Sequence, residues 1–118
     1  MKPNETIEFK LDKMEPNSVH VEKTPLANGD IIQVTFYTHG GSDTHRAYLV
    51  DDNDAKNGVP SKDATPVENG QHVFAVENGK RNVMFIRSDD GYPYASCEFA
   101  VKLLHNNILR DVFNRKRH

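Results

Sequence analysis

The chain has 118 residues, which suits one domain and leaves little room for a second. Mean hydropathy is -0.70, but the apolar residues, 36% of the total, fall in dense runs such as residues 31–36, which argues against a disordered chain. A single cysteine, Cys97, excludes an intrachain disulfide and a cysteine zinc cluster. No apolar run approaches the ~20 residues that cross a bilayer, so we expect a cytoplasmic protein without membrane contact.

The net charge of -2 conceals an uneven distribution. Residues 1–104 contain 11 basic and 16 acidic side chains. Residues 105–118 contain four basic side chains and one acidic side chain. An acidic body with a basic C-terminal segment predicts interaction with a charged partner.

Turn signals divide the chain at short intervals. Asparagine, aspartate and glycine tolerate the positive φ that tight turns require. Five such dipeptides occur, and this density is typical of an antiparallel β protein: Asn28-Gly29, Asn57-Gly58, Asn69-Gly70, Asn78-Gly79 and Asp90-Gly91.

Four strands are predicted in the first half of the chain, at residues 6–11, 18–23, 30–38 and 45–50. Each shows apolar residues at alternate positions, as a half-buried strand requires. The clearest is residues 30–38, where Ile32, Val34 and Phe36 share one face. The glycine-rich stretch that follows is predicted to be a hairpin tip joining this strand to the next one.

The same tip contains residues with metal-ligand chemistry. His39 and His45 would face each other across the predicted hairpin, and Asp43 lies between them in sequence. Two histidines and a carboxylate suit zinc or ferrous iron, so a small metal-dependent hydrolase is one alternative function. A solvated turn explains the composition more simply, and we expect no cofactor.

Residues 52–70 are polar, contain two prolines and are predicted to be one long loop. Residues 72–86 are predicted to form a hairpin, because Asn78-Gly79 favours a type I′ turn between two apolar runs.

The apolar residues at positions 94–103 fit both the two-residue period of a strand and the spacing of a helix. Alternation of Cys97, Phe99 and Val101 predicts a strand that pairs with residues 82–88, whereas i+4 spacing also allows a helix. We favour the strand, followed by a basic amphipathic helix and tail at residues 104–118. The expected fold is therefore mainly β, an antiparallel sandwich-like domain of about seven strands over residues 1–118 with a short C-terminal helix. The alternative is an α+β fold, with a sheet packed on one longer helix.

A nucleic-acid-binding accessory protein is the second alternative function. Basic side chains contact phosphates and tyrosines stack on bases. The residues that would do so are Arg87, Tyr92, Tyr94, Arg110, Arg115, Lys116 and Arg117.

Our leading interpretation is a non-catalytic protein-binding or inhibitor module that recognises its partner through acidic loops and sheet edges. The acidic body would steer a basic partner, such as a nucleic-acid-binding enzyme. The predicted contact residues are Asp51, Asp52, Asp54, Asp89 and Asp90.

Overall fold

A computed structural model describes residues 1–39, 45–89 and 95–106, with the side chains of His39 and Ala95 excepted. The described residues form eight antiparallel strands and one short helix, so the mainly β prediction is confirmed with one strand more than expected. In chain order the elements are β1 (Thr6–Met14), β2 (Ser18–Lys23), β3 (Ile31–His39), β4 (His45–Val50), α1 (Asp52–Asn57), β5 (Thr65–Val67), β6 (Gly70–Ala75), β7 (Asn82–Arg87) and β8 (Ala95–His105).

The strands form two four-stranded sheets. The first sheet has the order β1-β8-β3-β6, and the second has the order β2-β7-β4-β5. Strands that are neighbours along the chain therefore occupy matching positions in the two sheets: β1 matches β2, β8 matches β7, β3 matches β4, and β6 matches β5. Eight antiparallel strands with this connectivity have the jelly-roll topology, a double-sheet sandwich built from two Greek keys.

Three predicted hairpins are wrong for one common reason. Six of the seven steps between consecutive described strands pass from one sheet to the other, and among these strands only β4 and β5 are both consecutive and paired. The predicted pairings of residues 30–38 with 45–50, of the two halves of 72–86, and of 82–88 with 94–103 therefore do not form. A turn signal shows that the chain reverses but does not say whether it returns in the same sheet.

The Asn78-Gly79 turn illustrates the distinction. Both residues have positive φ, 53° and 72°, and the Lys80 amide donates to the Glu77 carbonyl over 3.0 Å. These are the features of a type I′ turn, as predicted. The turn nevertheless carries the chain from β6 in the first sheet to β7 in the second.

The core lies between the inner faces of the two sheets. Phe85 of β7 meets Phe99 of β8 edge to face, with ring centroids 5.3 Å apart, and Phe36 of β3 packs on Phe99 at 6.0 Å. Burial of each such side chain contributes roughly 1.5–3 kcal/mol. Ile32, Val34 and Phe36 all belong to this core, as their alternation predicted.

Residues 52–70 are not a single loop, contrary to prediction, because they contain α1 and β5. The Asp51 carboxylate caps α1 by accepting from the Asp54 amide over 2.8 Å. Gly58 ends the helix in the left-handed conformation, with its amide donating to the Asp54 carbonyl over 2.9 Å. The buried Asp54 carboxylate then accepts from the Ser61 amide over 2.9 Å, which ties the following connection to the helix.

The preferred strand at residues 94–103 is confirmed, and the helical alternative for it is wrong. β8 extends to His105 because it pairs with both β1 and β3 along its length. Leu104 and His105 therefore belong to a strand rather than to the start of the predicted helix. Residues 107–118 of that predicted helix and tail lie outside the described residues.

We expect Gly79→Val to lower the free energy of unfolding by about 1–2 kcal/mol, because a β-branched residue tolerates a φ of 72° poorly. Apart from its two chain neighbours, no residue has an atom within 4 Å of the position a Cβ would take, so the cost comes from backbone strain rather than from tertiary clashes. Gly79→Asn is the matched control, since asparagine accepts this conformation. Urea unfolding measures both, and equal losses for the two variants would contradict the explanation.

Cys97 is buried in the core, and burial raises the pKa of its thiol to about 11. Because the thiolate is the reactive form, a rise from 9.0 lowers its fraction ~100-fold near neutral pH. We therefore expect an aromatic disulfide reagent to modify native protein at pH 8 at least that much more slowly than unfolded protein. Rapid modification without urea would show that the core opens locally.

Candidate functional site

Three of the acidic residues predicted to contact a partner make structural contacts within the chain. Asp51 caps α1, and Asp54 holds the connection that follows it, as described above. Asp52 accepts from Arg81 through both carboxylate oxygens, from Nε over 3.2 Å and from Nη2 over 2.5 Å. It also accepts from the Asn82 amide group over 2.9 Å. This cluster joins the start of α1 to the start of β7.

The Asp52 contacts have a clear electrostatic consequence. The hydrogen bond from Arg81 holds the pKa of the Asp52 carboxyl well below its ordinary value, and the bond from Asn82 acts in the same direction. The same pairing raises the pKa of Arg81. A carboxylate paired in this way contributes less field for steering a basic partner than an isolated one does.

The predicted acidic residues also do not form one surface. Val50 lies opposite Asn82 and His45 opposite Arg87, so Asp51, Asp52 and Asp54 gather at one end of the second sheet. Asp89 is exposed beyond the other end of β7, about 20 Å away at ~3.3 Å per residue. Asp90 lies outside the described residues.

The structure does not place His39 and His45 opposite each other, as the predicted metal site required. His39 is opposite Ser96 in the first sheet, and the buried His45 is opposite Arg87 in the second. The two histidines are therefore not cross-strand neighbours, and Asp43 lies outside the described residues. Within the ranges that the structure describes, no three His, Cys, Asp or Glu side chains form a metal-binding group.

Arg87 was predicted to contact nucleic acid, but its side chain is 0% exposed. Its guanidinium lies inside the sandwich and donates to the Met14 carbonyl. A buried guanidinium cannot reach a phosphate, so this assignment is wrong for the folded protein. The other predicted nucleic-acid contacts, Tyr92, Tyr94, Arg110, Arg115, Lys116 and Arg117, lie outside the described residues.

Among the described residues, the edge strands of the two sheets have no further pairing partner, and these open edges differ in how well they are protected. Charged side chains, bulges, proline and short length all discourage pairing with another strand. β1 carries four charged residues and an irregular register after Leu11, β2 carries Glu22 and Lys23, and β5 has only three residues with Pro66 in the middle. β6 has none of these features: its sequence GQHVFA contains no Asp, Glu, Lys or Arg.

The backbone of β6 presents a regular set of groups to this open edge. The Val76 amide and carbonyl both bond to the Gly29–Asp30 segment preceding β3, at 2.8 and 2.7 Å. Because the direction alternates along an antiparallel strand, Phe74 and His72 also bond towards β3. The amides and carbonyls of Gln71, Val73 and Ala75 therefore point away from the sheet. Val73 is also 60% exposed.

A cavity of ≈ 220 Å³ lies beside the same strand, between the edge strands of the two sheets. Leu49, Phe74 and Val76 form its apolar lining. Thr65, Glu77 and Lys80 form its polar side, where the Lys80 Nζ donates to the Thr65 Oγ1 over 3.1 Å. An edge strand without charged residues next to a partly apolar cavity has the two components with which sheets bind extended peptides: backbone pairing and a side-chain pocket.

Sequence reasoning expected sheet edges to bind a partner but did not identify β6. The available signal was the absence of charged residues from positions 69–76, in a chain where about a quarter of the residues are charged. That signal has meaning only once β6 is known to be an edge strand. The wrong hairpin had placed β7 beside it.

A scan against protein-family models finds no match, and a search of curated proteins finds no significant relative. The jelly-roll topology is shared by proteins of many functions, so the class defined here is architectural. None of the helical residues described is part of a segment long and apolar enough to span a membrane.

We expect Asp52→Asn to destabilise the protein at pH 7 and to destabilise it progressively less as the pH falls from 4 to 2. The pKa of Asp52 is lowered well below 3.8 on folding, so its contribution is fully present above that ordinary value, declines below it and is lost only as the pH falls through the folded-state pKa. Urea unfolding at pH 7, 4 and 2 measures the trend, with Asp12→Asn on the exposed part of β1 as the charge control. A deficit that stays constant with pH would contradict this role.

Proposed function

We propose that the chain is a non-catalytic protein-binding module that takes up an extended segment of its partner along the open edge of β6. The observation that carries the proposal is the outward set of backbone groups at Gln71, Val73 and Ala75, on a strand with no charged residue. An added strand would satisfy these groups with main-chain hydrogen bonds and continue the first sheet.

Electrostatics favour a basic partner segment. Glu68 and Glu77 are exposed and flank the two ends of β6. They would attract a strand with lysine or arginine near its ends, and the -5 balance of residues 1–104 would assist its approach. A basic nucleic-acid-binding enzyme that is inhibited by this contact fits the same charge pattern.

The decisive variant is Val73→Pro. Proline removes the amide that points to the open edge and leaves the hydrogen bonds to β3 intact. We expect Val73→Pro to capture at least tenfold less of the proteins that the wild type captures from the host lysate. One backbone hydrogen bond contributes about 1 kcal/mol, and the proline ring also disturbs the neighbouring hydrogen bonds of an added strand. Quantitative mass spectrometry measures the capture.

Two controls distinguish strand pairing from general adhesion. Val73→Thr reduces the apolar surface but keeps the amide, so it should retain most of the capture. Val19→Thr alters an exposed valine, 46% accessible, on the β2 edge of the other sheet and should have no effect. Ala75→Pro removes a second outward amide and replaces Val73→Pro if that variant unfolds.

Unchanged capture by both proline variants would refute the proposal. A second outcome would also refute it: wild-type protein that sediments as a dimer and Val73→Pro that sediments as a monomer. In that case the edge of β6 is occupied by another copy of the chain rather than by a partner.

A further inference from the structure

The cavity beside β6 has the position and lining of a specificity pocket. Phe74 faces the interior of the sandwich, and residues of an added strand that lie opposite it would face the same way. Such a residue would lie at the mouth of the cavity formed by Leu49, Phe74 and Val76. The outward-facing residues of the added strand would lie beside the exposed Val73 instead.

The volume of the cavity indicates what it can hold. Benzene binds in an apolar cavity of about 150 Å³, and this cavity has ≈ 220 Å³. It therefore has room for a leucine, methionine or phenylalanine side chain. Leu49, Phe74 and Val76 form an apolar wall, and Thr65, Glu77 and Lys80 form a polar wall, where the Lys80 Nζ donates to the Thr65 Oγ1. An apolar side chain packed on the first wall would bury apolar surface and leave the bond between Lys80 and Thr65 in place.

We infer that the cavity between β5 and β6 receives one large apolar side chain from an extended, basic segment of the partner. This inference rests on the proposed function, because the segment must first pair with β6. It adds a rule of recognition: one apolar anchor opposite Phe74, with lysine or arginine at the ends near Glu68 and Glu77. Backbone pairing supplies affinity, and the anchor selects the sequence.

A displayed library of random peptides tests the rule. Segments of about ten residues span the distance from Glu68 to Glu77 at ~3.3 Å per residue. Selection on the wild type should enrich peptides with one leucine, methionine or phenylalanine between basic residues. Replacing that anchor by alanine should weaken binding at least tenfold.

The matched variants separate the pocket from the edge. Thr65→Phe fills the cavity from β5 and should remove the difference between anchor and alanine peptides, whereas Thr65→Ser should preserve it. Thermal unfolding checks that both variants fold. If Thr65→Phe does not fold, Leu49→Phe replaces it and fills the cavity from β4.

Each result has a distinct meaning. Peptides that bind the wild type, lose binding with Val73→Pro and show no anchor preference would overturn the pocket while supporting strand pairing. An anchor preference that persists in Thr65→Phe would also overturn the pocket. No enrichment, or enrichment that Val73→Pro leaves unchanged, would overturn the proposed function and the inference together.

Discussion

The contact between Phe85 and Phe99 is the constraint on which the architecture depends. Phe85 lies on β7 and Phe99 on β8, which are interior strands of opposite sheets, and their rings meet edge to face at 5.3 Å. β7 and β8 follow each other along the chain but lie in opposite sheets, so that their large side chains face each other across the core. Pairing them in one sheet would place both rings on the same face and leave the other sheet without its central packing.

The same constraint creates the candidate binding site. When consecutive strands are placed face to face, the sandwich ends with β6 at the edge of one sheet and β5 at the edge of the other. β5 has only three residues and cannot cover the length of β6. The flank between them is therefore left with an open backbone edge and a cavity, without any special insertion in the chain.

Acidic residues illustrate why composition alone did not locate the candidate binding site. In the sequence, Asp51, Asp52 and Asp54 have the appearance of a charged loop. In the fold, Asp51 caps α1, Asp52 pairs with Arg81, and Asp54 accepts from the Ser61 amide. The spacing of Asp51, Asp54 and Gly58 was in fact a helix signature, with a capping residue at the start and glycine at the end. Carboxylates that form these contacts within the chain interact less strongly with a partner than free carboxylates would.

By itself the sequence determined the period-two strands, the positive-φ turn at Asn78-Gly79 and the burial of Cys97. These features depend on local sterics and on hydrophobic alternation, which neighbouring residues specify. Strand partners, the edge position of β6, the burial of Arg87 and the separation of His39 from His45 were decided only by the tertiary structure. They depend on which sheet each strand joins, and that choice is made by packing two inner faces against each other across long distances in the chain.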